Sequence, residues 1–386
     1  MTTPLPAAPA RIVVAPHVVP SAAVGAAPVR KSVVHVPRAW YVACRSSALG
    51  AQRLLARTIL GVPLALWRGG AVGARGQRAP SAVLDRCPHR NVPLSLGQVK
   101  VSGELVCRYH GWHFDGGGKL TQIPGLPIVE GTDGHLDAPG RRASVYPCVE
   151  QDGYVWVWLD PASPPTEPPH ALTQLARPGY LTVRREFTLR ATLHATLENI
   201  LDVPHTSFLH GGLFRTAEKS HAITAVVRRA RTHVEAEFIG EPRPKGLAAR
   251  ILSPSGGLIT HFDRFFLPSV AQVEYRIGAE NHIVTTTMCT PVDDTTTVMH
   301  AVLSVKTRIP AWLLAPFAAP VALRIVGQDK WILEKQTELV DRLGSESFSS
   351  TPIDLLGPHI LHLLKKAEAN ALDDAVVREE QTTLMV

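Results

Sequence analysis

The stretch CPHRNVPLSLGQVKVSGELVCRYHGW, residues 87–112, decides how this chain is read. It holds Cys87 and His89 in one short run and Cys107 and His110 in another, with 17 residues between His89 and Cys107. Two thiolates and two imidazoles suit either one tetrahedral zinc or a pair of irons. A zinc finger places both cysteines ahead of both histidines. Here each loop supplies one of each, which suits a [2Fe-2S] cluster with two Cys on one iron and two His on the other. Neutral imidazoles leave such a cluster less negative and raise its potential, so it can accept and pass on single electrons. Pro88 and Gly111 fit tight loops, and Trp112 is placed to shield the cluster from water. His113 falls outside the ligand spacing and reads as a loop or supporting residue.

A one-electron carrier implies a consumer, and ENILDVPHTSFLH, residues 198–210, supplies a candidate. Two imidazoles and a carboxylate on one face of an iron form the facial triad of non-haem Fe(II) oxygenases, which leaves positions open for O₂. His205 and His210 are the natural imidazoles. Five residues apart on a regular helix they would diverge by about 140°. The helix must therefore loosen after Pro204, and Gly211-Gly212 gives it an end. The carboxylate has two candidates. Asp202 lies one helical step from His205; Asp329, in GQDKWILEKQ, lies on a later helix. A ligating histidine usually gives its second N–H to a carboxylate, so either acid fits either role.

Around these motifs, 386 residues with 45% hydrophobic and 19% charged side chains indicate a globular chain with room for two domains. The net charge of +7 is spread without a basic run, which argues against a nucleic-acid partner. It reads as a solvated surface or as attraction for an acidic protein or anionic ligand. Five scattered cysteines are not a secreted disulfide framework, so reduced thiols and a cytoplasmic location are expected, with Cys44, Cys148 and Cys289 as small core residues. IPAWLLAPFAAPVAL, 309–323, is too short and proline-rich for a membrane span and reads as a buried helix or pocket wall.

The organisation follows from pattern and punctuation. Residues 1–30 read as a flexible tail. Over 31–160, AWYVACRS, PLALWRG, SAVLDRC and YVWVWL alternate like short strands, which predicts a small all-β domain. PASPPTEPPH opens a proline-rich linker, 161–180. From 181 to 386 the pattern gives a strand at 183–191, a helix at 192–202, three strands within 264–308, and helices near 321–342 and 355–380. The fold class expected is α+β, with an antiparallel sheet covered by helices in the second domain. No G-x-G-x-x-G follows a strand, so electrons are expected from a separate ferredoxin or reductase.

The motifs C-x-H-x17-C-x2-H and N-x2-D-x2-H-x4-H, in this order, resemble those of the Rieske non-haem iron oxygenase α-subunit family, from about Trp40 to about Gln336. WYVACRS, LALWRG, GYVWVW, ENILDVPH and GQDKW look closest to its single-component-type branch. That branch includes aminopyrrolnitrin oxygenase, ketosteroid hydroxylase and the plant chlorophyll-pathway oxygenases. The resemblance implies that Cys87 and Cys107 bind one cluster iron and His89 and His110 the other. It implies His205, His210 and Asp329 as ligands of a mononuclear Fe(II), with Glu334 the fallback acid and Asn199 near the iron without ligating it. Asp202 becomes a bridge from His205 to His110 of a neighbouring subunit in a homotrimer. The activity implied is oxidation of a hydrophobic small molecule with O₂, by monooxygenase-type hydroxylation or oxidative cyclisation of a natural product. The other readings are a Rieske electron carrier or redox sensor, and a zinc-stabilised binding protein.

Overall fold

The computed structural model describes residues 29–73, 76–126, 136–210, 222–241, 259–278, 281–307, 311–374 and 376–385. The tail expected over 1–30 lies outside them up to residue 28. Its last two residues are tied down: Val29 bridges to Ser345, and Arg30 pairs with Asp341.

Among the described residues, three small antiparallel sheets form the first half. One sets Tyr154–Trp158 between Trp40–Arg45 and Cys148–Gln151, and all five residues of the central strand are buried. A second joins Leu55–Ile59, Val62–Trp67, Ser81–Leu84 and Val145–Tyr146. The third is built from the short strands Gln98–Val99, Leu105–Val106, His113–Phe114 and Leu120–Gln122. The expected all-β character holds. The proline-rich stretch 161–170 has neither helix nor strand and is held against this half, where Trp40 Nε1 donates to Glu167 O and Gln151 Nε2 to Pro169 O.

Among the described residues, the second half is an eight-stranded antiparallel sheet with four α-helices. In spatial order its strands are Leu181–Leu189, Thr296–Lys306, Asn281–Asp293, Val270–Ile277, Ile259–Phe266, His233–Ile239, Ala222–Arg229 and Arg378–Met385. The helices are α1 (Leu193–Ile200), α2 (Thr206–Leu209), α3 (Ala311–Leu343) and α4 (Gly357–Glu368). One face of the sheet packs Val270, Met288 and Val302 on the tryptophans of the first half, Trp40, Trp156 and Trp158. The other carries Ala236, Phe238 and Phe265 into a core with Leu197 of α1 and Ile360 and Leu363 of α4. Burying each such leucine contributes about 1.5–3 kcal/mol, and this core fixes α1 against the sheet.

Four local readings change. RFFLPSVAQVEYRIG is two strands rather than one, because Pro268 has no N–H for the ladder and sits in the turn between them. The helix expected at 355–380 stops at Glu368, with Asn370 at φ 52°, and Arg378–Met385 becomes the edge strand. The helix expected at 321–342 starts earlier and takes in residues 311–320. The apolar segment 309–323 is therefore the first part of α3, apart from 309–310, which lie outside the described residues. Where its side chains are described it is no buried wall, since Val321 and Leu323 are exposed. Among the described residues no helix is long and apolar enough to cross a membrane.

Candidate metal centres

Both cysteine–histidine loops have the same backbone design. Cys87 N–H donates to Val92 O and Asn91 N–H returns to Cys87 O; Cys107 N–H donates to Trp112 O and Gly111 N–H returns to Cys107 O. The fourth residue after each cysteine has positive φ, Asn91 at 60° and Gly111 at 67°, which closes the turn. The loops therefore face each other as near-equivalents, except that histidine comes two residues after the first cysteine and three after the second. The pairing runs across the loops. The Cys87 and Cys107 thiols are in hydrogen-bond contact, and the His89 and His110 rings meet with centroids 4.5 Å apart.

Burial pushes the Cys87 thiol up to about 11, against the backbone N–H groups of His89 and Arg90 that point at its sulfur. Those N–H groups favour a thiolate, which a metal would supply. Trp112 stacks flat on His89 at 4.5 Å, and both cysteines are buried. His113 turns away, 3.6 Å from Glu104.

The second centre begins where α1 ends. Thr192 caps α1, its Oγ1 accepting from Ala195 N–H at 3.1 Å, and Leu201 closes it. The chain then breaks over Leu201–His205, before Pro204 completes its turn rather than after it. Asp202 Oδ2 accepts the His205 backbone N–H at 3.1 Å. His205 and His210 become the two flanking residues of the single-turn α2. That arrangement brings their Nε2 atoms to 3.3 Å. Gly211-Gly212, expected to end the helix, lies outside the described residues.

Each imidazole is fixed through its other nitrogen. His205 Nδ1 lies 3.1 Å from Asp202 Oδ2, and His210 Nδ1 lies 3.0 Å from Gln328 Oε1. With Nδ1–H given to these acceptors, both Nε2 lone pairs point inward. Asp329 Oδ1 meets them at 3.5 Å from His205 and 3.1 Å from His210. This oxygen is buried and has no hydrogen-bond partner.

Three electron-pair donors at these spacings repel one another unless a cation or proton lies among them, and bonds of about 2.1 Å to one ion span such edges. Burial works against charge on His205, but Asp202 and Asp329 raise it to about 9. Among the described residues this is the only set of three or more metal-type ligand atoms within 4.8 Å of one another. The four residues of the cysteine–histidine loops are not gathered around one point, as a single zinc would need.

Asp329 thus stands where a ligand would, Asp202 stands behind His205, and Glu334 faces Lys330 at 3.7 Å instead. Asn199 lines a cavity of about 830 Å³ with Glu198, Asp202, His205 and Phe208. Gln328 was not foreseen, because nothing in GQDKW distinguishes it from an ordinary helix residue. A second buried group, His261 with Asp263 and Glu241, also carried no motif.

Residues 39–132 match the family model of the Rieske [2Fe-2S] domain, and residues 189–370 that of the vanillate O-demethylase oxygenase C-terminal domain. The oxygenase component of dicamba O-demethylase from Stenotrophomonas maltophilia is 34% identical over 45% of this chain and 48% of its own. Chlorophyllide a oxygenase from Chlamydomonas reinhardtii is 34% identical over 45% of this chain and 24% of its own. TIC 55 from Arabidopsis thaliana is 29% identical over 66% and 46%. The chain thus spans between about a quarter and about half the length of these relatives. Dicamba monooxygenase bound to 3,6-dichlorosalicylic acid shares the fold with TM-score 0.69 at 24% identity, over 89% of this chain and 100% of that one. The fold and the domain pair define a protein in which a Rieske [2Fe-2S] domain precedes an oxygenase-type domain for mononuclear iron. This chain belongs to the Rieske oxygenase family.

Proposed function

We propose that the chain is the oxygenase component of a Rieske-type enzyme, taking electrons from a separate ferredoxin or reductase and oxidising a hydrophobic small molecule with O₂. In this reading residues 31–160 form the electron-transfer unit, 161–180 the linker and 181–386 the catalytic unit. The observation that carries it is the convergence of His205, His210 and Asp329 on one point, with an orphaned carboxylate oxygen among them.

That donor set fits Fe(II): two neutral nitrogens and one carboxylate, each nitrogen oriented by a hydrogen bond behind it. The cross-paired loops fit the cluster, Cys87 with Cys107 on one iron and His89 with His110 on the other. When bound, the mononuclear iron supplies O₂ activation, and the cluster supplies single electrons. Asp202 and Gln328 hold the two rings in the tautomer that presents Nε2. Asn199 lies in the adjoining cavity as a polar neighbour. The intact donor set disfavours a mere electron carrier.

Head-to-tail association in a homotrimer completes the reading. Cluster loops and triad lie in separate cores of one chain. The loops expose Tyr109 and His110 among Arg86, Arg90 and Arg108, whereas the cavity beside His205 exposes Phe208 and carries Glu198, Asp202 and Asp354. The arginines of the loops and the acids of the cavity are opposite in charge, and Asp202 can accept from His205 and from His110 of a second copy. Relatives named for chlorophyllide a, flavonoids and dicamba support an apolar, ring-containing substrate, with hydroxylation or oxidative cyclisation of a natural product as the chemistry. Five unpaired cysteines support a reducing, cytoplasmic location. Iron analysis with EPR tests the assignment: about three irons per chain and a reduced-state Rieske signal are expected, and zinc without that signal would overturn it.

A further inference from the structure

A second cavity, of about 390 Å³, lies at the seam between the two halves of the chain. The first half contributes Val42 and residues 56–59; the second contributes Glu186, Thr290, Val292, Val298 and His300. Glu186 lies opposite His300, and His300 opposite Met288, so register puts these residues on the sheet face that meets the first half. That is the face turned away from α1. The gap is framed by direct bonds between the halves. Thr290 Oγ1 donates to Val42 O at 2.8 Å, and the backbone N–H groups of Leu60 and Gly61 donate to Pro291 O at 2.8 Å and Val292 O at 2.7 Å. Its volume falls within the range of small-molecule sites.

Two opposite charges line this cavity, each tied to its own half. Arg57 Nε donates to Ala43 O at 3.0 Å and Nη1 to Ala56 O at 2.8 Å. Glu186 Oε2 lies 3.2 Å from Nδ1 of the buried His300. Among the described residues Arg57 Nη2 and Glu186 Oε1 have no partner, and the two side chains form no ion pair with each other. Arg57 is nevertheless close enough to help His300 hold the Glu186 carboxyl below its usual range, against burial. Glu186 is 49% exposed, so a solute can reach it. The wall around the charges is apolar, from Val42, Ile59, Val292 and Val298.

We propose that this seam binds a small zwitterion with an apolar side chain, a hydrophobic amino acid: its carboxylate accepts from Arg57 Nη2, its ammonium donates to Glu186 Oε1, and its side chain lies on the valines and Ile59. Charge-assisted bonds at both ends are stronger than neutral ones. A ligand carrying both charges leaves neither residue facing an uncompensated ion. The bonds to Ala43, Ala56 and His300 position both groups before the ligand arrives, which spares the ordering cost. Because the walls come from both halves, the occupant ties them together and stabilises the chain by mass action. The site goes beyond the oxygenase reading and does not depend on it.

The test compares three probes with one phenyl body by calorimetry on the holoenzyme: L-phenylalanine, phenethylamine, which lacks the carboxylate, and 3-phenylpropanoate, which lacks the ammonium. L-Phenylalanine should bind at least about tenfold more tightly than either, and it should raise Tm. Glu186→Gln keeps an oxygen for His300 and should bring L-phenylalanine down to the affinity of 3-phenylpropanoate. Arg57→Met should bring it down to that of phenethylamine; if loss of the backbone bonds unfolds this variant, the Glu186→Gln result decides alone. Absence of a preference for the zwitterion in the natural protein overturns the proposal, and so does a preference that survives in Glu186→Gln. Binding at the triad instead would show as a ferrous–nitrosyl EPR signal altered by L-phenylalanine, and that too would overturn the assignment to the seam.

Discussion

His205 and His261 are each flanked by two carboxylates that raise them to about 9, yet the two surroundings ask for different things. Around His261 the neighbours are two aromatic faces and two acids, and a proton on the ring is enough to balance the group. Around His205 a second imidazole, His210, adds a lone pair 3.3 Å away, and Asp329 Oδ1 has no donor to meet it. One proton cannot serve three inward-facing donors. The difference teaches that a histidine with raised proton affinity does not by itself mark a metal site; the count of unserved donor atoms around it does.

The sharpest way to break the comparison is to remove one donor from each group. His210→Ala should take the iron content from about three per chain to about two and turnover to background, with the Rieske signal unchanged. His261→Phe should leave iron content unaltered. Equal iron loss in both would mean the distinction is wrong.

Next in size is Asp202→Asn. An amide still accepts at Oδ1 but presents no charge to His205 or to an imidazole of another copy. Cluster and mononuclear iron should both remain by EPR, while turnover with the natural electron donor falls by about 100-fold. Near-normal turnover would remove Asp202 from the bridge.

The candidate cluster site was legible almost entirely in the chain, because its two cysteines and two histidines come from two short loops whose spacing is itself the geometry. The triad could be read only in part. His205 and His210 are close in sequence, but Asp329 is brought in by α3, and spacing left it level with Asp202 until the sheet and helices were assembled. The His261 group could not be read at all. Its three rings are neighbours only through strand register, and two of the strands involved, 233–239 and 259–266, were missed or merged with others. The edge strand Arg378–Met385 was hidden for a similar reason, since its pairing with Ala222–Arg229 is remote in sequence.

A smaller effect separates the two histidines by pH. A base with raised folded-state affinity stabilises the protein fully below its unfolded value, near 6.5, and that stability is lost as pH rises through about 9. For His261 the loss should be on the order of 2 kcal/mol, visible as a Tm that falls between pH 7 and 10. His261→Gln should flatten that fall in the iron-loaded protein. A fall of unchanged size would place its cause elsewhere.

The smallest expected effect concerns Glu198, which shares the cavity wall with Asp202. Burial, then Asp202, Asp354 and Glu346, raise its carboxyl from the usual range to about 7. The crowding is built in: a Cβ at Gly357 would come within 1.8 Å of Glu198 Oε1, so α4 approaches as closely as it does because residue 357 is glycine. For an acid with a raised value the sign is opposite to that of an ordinary ion-paired carboxylate. The folded state holds the proton more tightly, so stability is present below about 4.5 and declines as pH rises through 7. Because the side chain is partly exposed, solvent screens much of the effect, and Glu198→Gln should raise Tm at pH 8 by only about 1–2 °C while leaving it unchanged at pH 4.5. A rise at both pH values would assign the gain to packing against Gly357, and no rise at either would mean Asp202 and Asp354 do not burden Glu198 as their positions imply.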